Sequence, residues 1–204
     1  LVLIVVFSLF STAFFYHFVK TFGRIKWFER QLKGLDRDNI TENRDSLCTA
    51  AKDKKGVEGH LWIEFDETLV EVKSDSNISL RNTLDAGHFF NNHNIAKQVT
   101  ENRLIAAVPG FLTAIGVIGT FVGLQLGLAG LELGAGVSVE QMQDGVSSVV
   151  GGAKLAFLTS VWGVALSVFF NFGEKFLEQR VRNRISQLES SVDRIFPRIR
   201  PEDQ

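Results

Sequence analysis

The sequence predicts an all-α membrane protein: three transmembrane helices with long cytoplasmic helical extensions. Three observations predict it. Three long runs are almost free of charge, the basic residues fall on one side of those runs, and apolar residues outside them recur every three or four positions. The whole chain of 204 residues carries a net charge of -1, with 45% apolar residues, 18 Phe and 18 Gly. That balance gives no footprint for direct nucleic-acid binding, and the apolar residues are gathered in blocks rather than spread as in a soluble core.

The first element is transmembrane helix 1 over residues 1–19. Leu1 to Val19 holds no charged side chain apart from a titratable His17, and its length is close to the ~20 residues that cross the hydrocarbon. A secretory signal has a shorter apolar core of about 7–15 residues, which favours a true span. The chain opens at Leu1 inside this run, so residues ahead of it are expected. Residues 20–103 follow as a cytoplasmic helical segment. Its helix continues past the membrane through Trp27, Phe28, Gln31, Leu32 and Leu35, and Ile95, Val99 and Arg103 form a similar extension leading into the next span. Between them, Val57, Leu61, Phe65, Leu69 and Val72 predict a four-residue stripe on an acidic helix, and the polar stretch Lys73 to Ser79 predicts a loop.

Transmembrane helix 2 occupies residues 104–131, without one charged residue, and Pro109 is expected to bend it or start its membrane part. Residues 132–148 carry Glu132, Glu140 and Asp144 but no Lys or Arg, and predict a short periplasmic loop between antiparallel neighbours. Transmembrane helix 3 covers 149–172, with Lys154 near its start placed to snorkel its ammonium to the interface. The cytoplasmic helical extension over 173–204 repeats Leu177, Val181, Ile185, Leu188, Val192 and Ile195, with Glu174, Lys175, Glu178, Arg182, Glu189 and Arg194 on the other faces. A continuous helix from Val149 to Phe196 would be roughly 70 Å long at about 1.5 Å per residue, stopping near Pro197 and Pro201.

Fourteen Lys and Arg lie between Lys20 and Arg103 and seven after Phe172, leaving only Lys154. The positive-inside rule therefore puts the N-terminus in the periplasm and the C-terminus in the cytoplasm.

The spans carry two stripes of small residues. Gly116, Thr120, Gly123 and Gly127 share one face of span two; Gly152, Ala156, Ser160, Gly163 and Ser167 share one face of span three, with Thr159 beside it. Such faces let backbones approach closely, so helix packing alone accounts for them. A sharper reading makes Thr120 and Ser160, with Thr159 competing for the role, hydroxyl ligands on an ion path. The spans contain no Asp or Glu, so the ionisable group that a proton relay needs must come from a partner.

No metal is expected, since His60, His88 and His93 lack ligand spacing and Cys48 is isolated; as a lone cysteine it reads as an inert thiol. No cofactor is expected either. The span-two glycines lack the strand and lysine of a phosphate loop, and nothing in the sequence suggests an enzyme.

Gly119-Thr120-Phe121-Val122-Gly123 resembles the Gly-Thr-x-x-Gly of span two in the MotA, TolQ and ExbB superfamily, and Ser160-Val161-Trp162-Gly163 its third-span Thr-x-x-Gly, with Ser in place of Thr. Asn171-Phe172-Gly173-Glu174-Lys175 and Ile195-Phe196-Pro197-Arg198 most resemble the ZorA family, motor subunits of Zorya anti-phage systems. The resemblance implies a proton-channel subunit of a rotary motor in the bacterial inner membrane. It further implies a homopentameric ring around two copies of a single-span, peptidoglycan-binding ZorB- or MotB-like partner whose transmembrane Asp carries the proton. The long cytoplasmic tail of that family is not in this sequence, which would make the chain its motor portion. A TolQ- or ExbB-type energiser of the outer envelope and a non-conducting scaffold for a sensor or effector are the alternatives.

Overall fold

The computed structural model describes residues 2–37, 39–74, 77–131 and 138–199, with the side chains of 73, 74, 77 and 78 left aside. The order is α1 (Val2–Leu32), α2 (Ile40–Asp53), α3 (Val57–Asp66), β1 (Leu69–Ser74), β2 (Asn77–Asn82), α4 (Ala86–Phe89), α5 (Asn92–Thr100), α6 (Arg103–Ala129) and α7 (Val139–Ile195). The protein is thus mostly helical, and three of its helices, α1, α6 and α7, are long and apolar enough to cross a membrane. It divides into an apolar unit, residues 1–15 with 103–175, and a helix–hairpin unit, residues 16–102 with 176–204.

In the apolar unit, many large side chains point outward. Phe121 is 69% exposed, Phe157 66%, Phe169 71% and Phe172 72%. A soluble protein does not present aromatic surface on this scale, whereas hydrocarbon accepts it without cost. The first part of α1 packs on α7 through Phe7 and Phe14, whose rings lie 6.2 and 6.5 Å from that of Phe170. Helix α6 runs through Pro109 without interruption. Helix α7 starts at Val139, ten residues before the expected span, so 139–148 are helical rather than loop, and the rest of that segment, 132–137, lies outside the described residues. A reciprocal cap explains the early start: Ser138 N–H donates to Gln141 Oε1 at 2.9 Å and Gln141 N–H donates to Ser138 Oγ at 3.2 Å.

The helix–hairpin unit holds a compact aromatic core. Phe65 sits 5.2 Å from Phe90, 5.2 Å from Phe196 and 5.7 Å from Trp62, and Phe28 reaches Phe90 at 5.2 Å. Here the all-α expectation needs correction. The expected stripe ends with α3, and Leu69 and Val72 belong to β1, which pairs antiparallel with β2 from Leu69 opposite Asn82 to Ser74 opposite Asn77. The Lys73–Ser79 stretch is therefore largely strand, with only 75 and 76 outside the described residues. The cause is the β-branched Val70 and Val72, which pack better on a pleated surface than in a helix, while Leu69 and Leu80 bury their face of the hairpin.

Two further boundaries differ from expectation. Helix α1 stops at Leu32 because Gly34 adopts a left-handed φ of +82°, leaving Leu35 beyond the helix. The extension before span two is broken into α5 and α6 at 101–102. Helix α5 is capped by Asn91, whose Oδ1 accepts from Asn94 N–H at 2.9 Å.

The closing Phe196-Pro197-Arg198 segment has a clear role. Phe196 is 1% exposed in the core. The backbone around it ties to the hairpin: Asn82 N–H donates to the Pro197 carbonyl at 3.1 Å and Ile199 N–H to the Asn82 carbonyl at 3.0 Å. Buried Asn82 Oδ1 also accepts from Thr68 Oγ1 and Leu84 N–H, both at 3.0 Å, so its side-chain oxygen is satisfied.

Candidate functional site

The candidate site lies in the apolar unit, where α6 and α7 meet along the two predicted small-residue stripes. Gly116 faces Gly163, Gly123 faces Ala156, and Gly127 faces Gly152. Steps of seven and then four residues up α6 match steps of seven and four down α7, so the helices are antiparallel and in fixed register. The approach is close enough to exclude side chains. A Cβ on Gly163 would lie 2.7 Å from Gly116 Cα, one on Gly152 would lie 2.6 Å from both the Gly123 carbonyl oxygen and Gly127 Cα, and one on Gly123 would lie 3.0 Å from Ala156 Cα. Only glycine fits at such contacts, which is the physical reason for this composition.

Thr120 and Thr159 sit at the middle of the seam. Thr120 Oγ1 donates to the Gly116 carbonyl of its own helix at 3.1 Å and approaches the Ala156 carbonyl across the seam at 3.5 Å. Thr159 Oγ1 donates to that same Ala156 carbonyl at 2.8 Å. A side chain on Gly119 would strike Thr159, its Cβ falling 2.8 Å from Oγ1. The structure thus brings both threonines to one carbonyl. Ser160 lies one position on, half-buried, with its Cα against Gly116 and no hydrogen bond from its hydroxyl among the described residues. Ser167 Oγ donates to the Pro109 carbonyl at 2.9 Å, pinning the other end of the seam.

Electrostatically the seam is neutral. The described parts of α6 and α7 between Leu104 and Phe172 carry Glu140, Asp144 and Lys154, all exposed. Next to the seam the structure corrects one expectation. Glu174 was expected on a polar face; instead it is 5% exposed. The signal was available, because Glu174 is in phase with Gly163, Ser167 and Phe170 before it and with Val181, Ile185 and Leu188 after it.

Away from the seam, His60 and His93 each meet a carboxylate, Glu64 at 3.2 Å and Glu101 at 2.9 Å, while His88 meets Phe89 edge to face. Among the described residues no group of three His, Cys, Asp or Glu converges on a metal position. In the helix–hairpin unit Arg44 grips Asp66 through Nε at 2.9 Å and Nη2 at 3.1 Å, and this hydrogen bonding raises the guanidinium pKa above its ordinary value. Burial first, then the Asp66 hydrogen bond, pushes the Cys48 thiol up to about 11, which keeps it a neutral, unreactive group.

A neutral glycine-lined seam, threonines at its centre and an outward aromatic face define a multi-helix protein of the membrane type, built on close backbone packing. Residues 1–201 match the family described as the anti-phage protein ZorA of the Zorya type I system, and the chain belongs to that family. Among curated proteins it is 25% identical to Zorya protein ZorA from an enterotoxigenic Escherichia coli, over 95% of this chain and 27% of that protein. It is also 28% identical to Zorya protein ZorA from the Crooks strain of Escherichia coli, over 39% of this chain and 13% of that protein. The chain therefore spans about a quarter of the length of the relative that it matches most fully.

Proposed function

We propose that this chain is the ion-channel subunit, for protons in the first instance, of an inner-membrane rotary motor serving anti-phage defence. Five copies surround two copies of a single-span partner, and the partner's transmembrane Asp carries the ion past the hydroxyls of Thr120 and of Ser160 or Thr159. The chain itself catalyses no covalent chemistry. The N-terminus faces the periplasm, and the helix–hairpin unit lies in the cytoplasm with most of the Lys and Arg. Rotation of the ring passes inward to effectors through the cytoplasmic helices.

One observation carries the reading: two threonine hydroxyls gather at a single carbonyl in the middle of a neutral, close-packed seam, in spans without an acid of their own. Hydroxyl and carbonyl oxygens are the ligands expected where a cation passes a carboxylate supplied by another chain.

The test is ion uptake into proteoliposomes holding this chain and its co-encoded single-span partner, under separate H⁺ and Na⁺ gradients. Thr120→Ala and Ser160→Ala should lower uptake at least tenfold in complexes that still assemble; loss of assembly would assign these residues to packing. A second reading, a non-conducting scaffold, is favoured by the bond from Thr120 Oγ1 to its own helix, which satisfies the hydroxyl without an ion. An intact wild-type complex passing neither ion would establish that scaffold.

A further inference from the structure

The seam ends in a carboxylate that packing does not explain. Glu174 lies on α7 in the apolar unit with its side chain 5% exposed. Its Oε2 is buried and has no hydrogen-bond partner among the described residues. Its Oε1 meets Lys175 Nζ at 3.5 Å, the outer limit of a hydrogen bond, and the Lys175 side chain is 60% exposed. The position is therefore a buried carboxylate with one oxygen lacking a hydrogen bond, on a helix face where Leu or Ala would pack without desolvating a charge.

Its placement along α7 supplies the rest. Ser160, Ser167 and Glu174 recur every seven residues, so two hydroxyls and a carboxylate stand nearly in line, about 10.5 Å apart along the axis. The other charged groups of the unit are few. The described part of α1 in this unit has none, α6 contributes Arg103 at its first residue, and α7 contributes Glu140, Asp144, Lys154 and Lys175.

We infer that Glu174 is a second ion-handling group, a relay for a monovalent cation at the end of the seam, on the side opposite the Ser138 cap. The inference rests on the channel reading above. The cation that leaves the hydroxyl level binds Oε2, as a proton forming an O–H bond or as Na⁺ in direct contact with the carboxylate. It then departs unchanged, leaving the carboxylate as it was.

The same proteoliposomes test it, with uptake of H⁺ followed by a pH-sensitive dye and of Na⁺ by isotope, normalised to assembled complex. Glu174→Gln keeps the shape and removes the charge; it should lower uptake at least tenfold, and Glu174→Asp should recover most of the loss. Glu174→Gln equal to wild type would overturn the inference while leaving the channel intact, and so would a Gln variant that fails to assemble, which would make the residue a packing group. Silence of the wild-type complex would instead remove the channel reading, a failure visible before any Glu174 variant is compared.

Discussion

The two units solve the same packing problem with opposite materials. The seam of the apolar unit joins Gly116 to Gly163 and Gly127 to Gly152, backbone against backbone, while Phe121, Phe157, Phe169 and Phe172 face outward. The helix–hairpin unit buries Trp62, Phe28, Phe65, Phe90 and Phe196 together and uses hydrogen bonds at its edges. The difference follows from the solvent. In water, burying an aromatic ring is worth several kcal/mol; in hydrocarbon that gain vanishes, and close van der Waals approach is what remains.

The comparison can be broken at several points. Phe65→Ala should cost the most, about 3–5 kcal/mol, because it empties the centre of the aromatic cluster. A fall in the apparent melting temperature of the purified protein would register it, and a neutral outcome would mean that the helix–hairpin unit is not held by this core. Gly152→Ala comes next, at about 1–3 kcal/mol, since the added methyl meets backbone atoms that cannot yield cheaply. Adding a methyl to a neighbouring exposed position such as Gly151, where a Cβ meets nothing within 4 Å, should leave the melt unchanged and so sharpen the contrast.

Ser138→Ala should cost about 1 kcal/mol by removing one half of the reciprocal cap on α7, seen as faster amide exchange over its first turn. The smallest effect belongs to the exposed pair Arg184–Glu29, at 3.0 Å, where Glu29→Gln should change stability by less than about 1 kcal/mol.

Cys48 offers a pH-dependent check on the watery side of the comparison. Its folded pKa of about 11 lies above the ordinary 9.0, so the folded state holds its proton more tightly than the unfolded state. Its contribution to stability is therefore complete below pH 9 and lost as pH rises through 11. Alkylation by iodoacetamide should be slow at pH 8 and accelerate across that window.

The long helices were readable because span length and charge leave few alternatives, and both small-residue stripes were readable because glycine at three- and four-residue spacing has one geometric use. Periodicity identifies a face without identifying its partner, so the pairing of Gly123 with Ala156 is legible only in the fold. The hairpin was hidden for a specific reason: Leu61, Phe65 and Leu69 keep a helical interval across the very point where α3 gives way to β1. Ser138 and Gln141 spell a capping box, yet Glu132, Glu140 and Asp144 in a short segment between two spans read as loop. Glu174 is hard to place because its charge argues for a polar face while its phase with Ser167 and Val181 argues for a buried one. In the site itself, the residue types were legible, while the convergence of Thr120 and Thr159 on one carbonyl was not.

The register of the seam also carries an order of events in time. Of the three facing pairs of the seam, Gly127 with Gly152 is the nearest in sequence and Gly116 with Gly163 the farthest. Loop closure favours the shortest connection, so α6 and α7 should pair first beside the Ser138 cap and zip toward Pro109 and Ser167. A nascent chain thus forms this hairpin once the first half of α7 has emerged, before Phe196, the last ring of the aromatic core, exists.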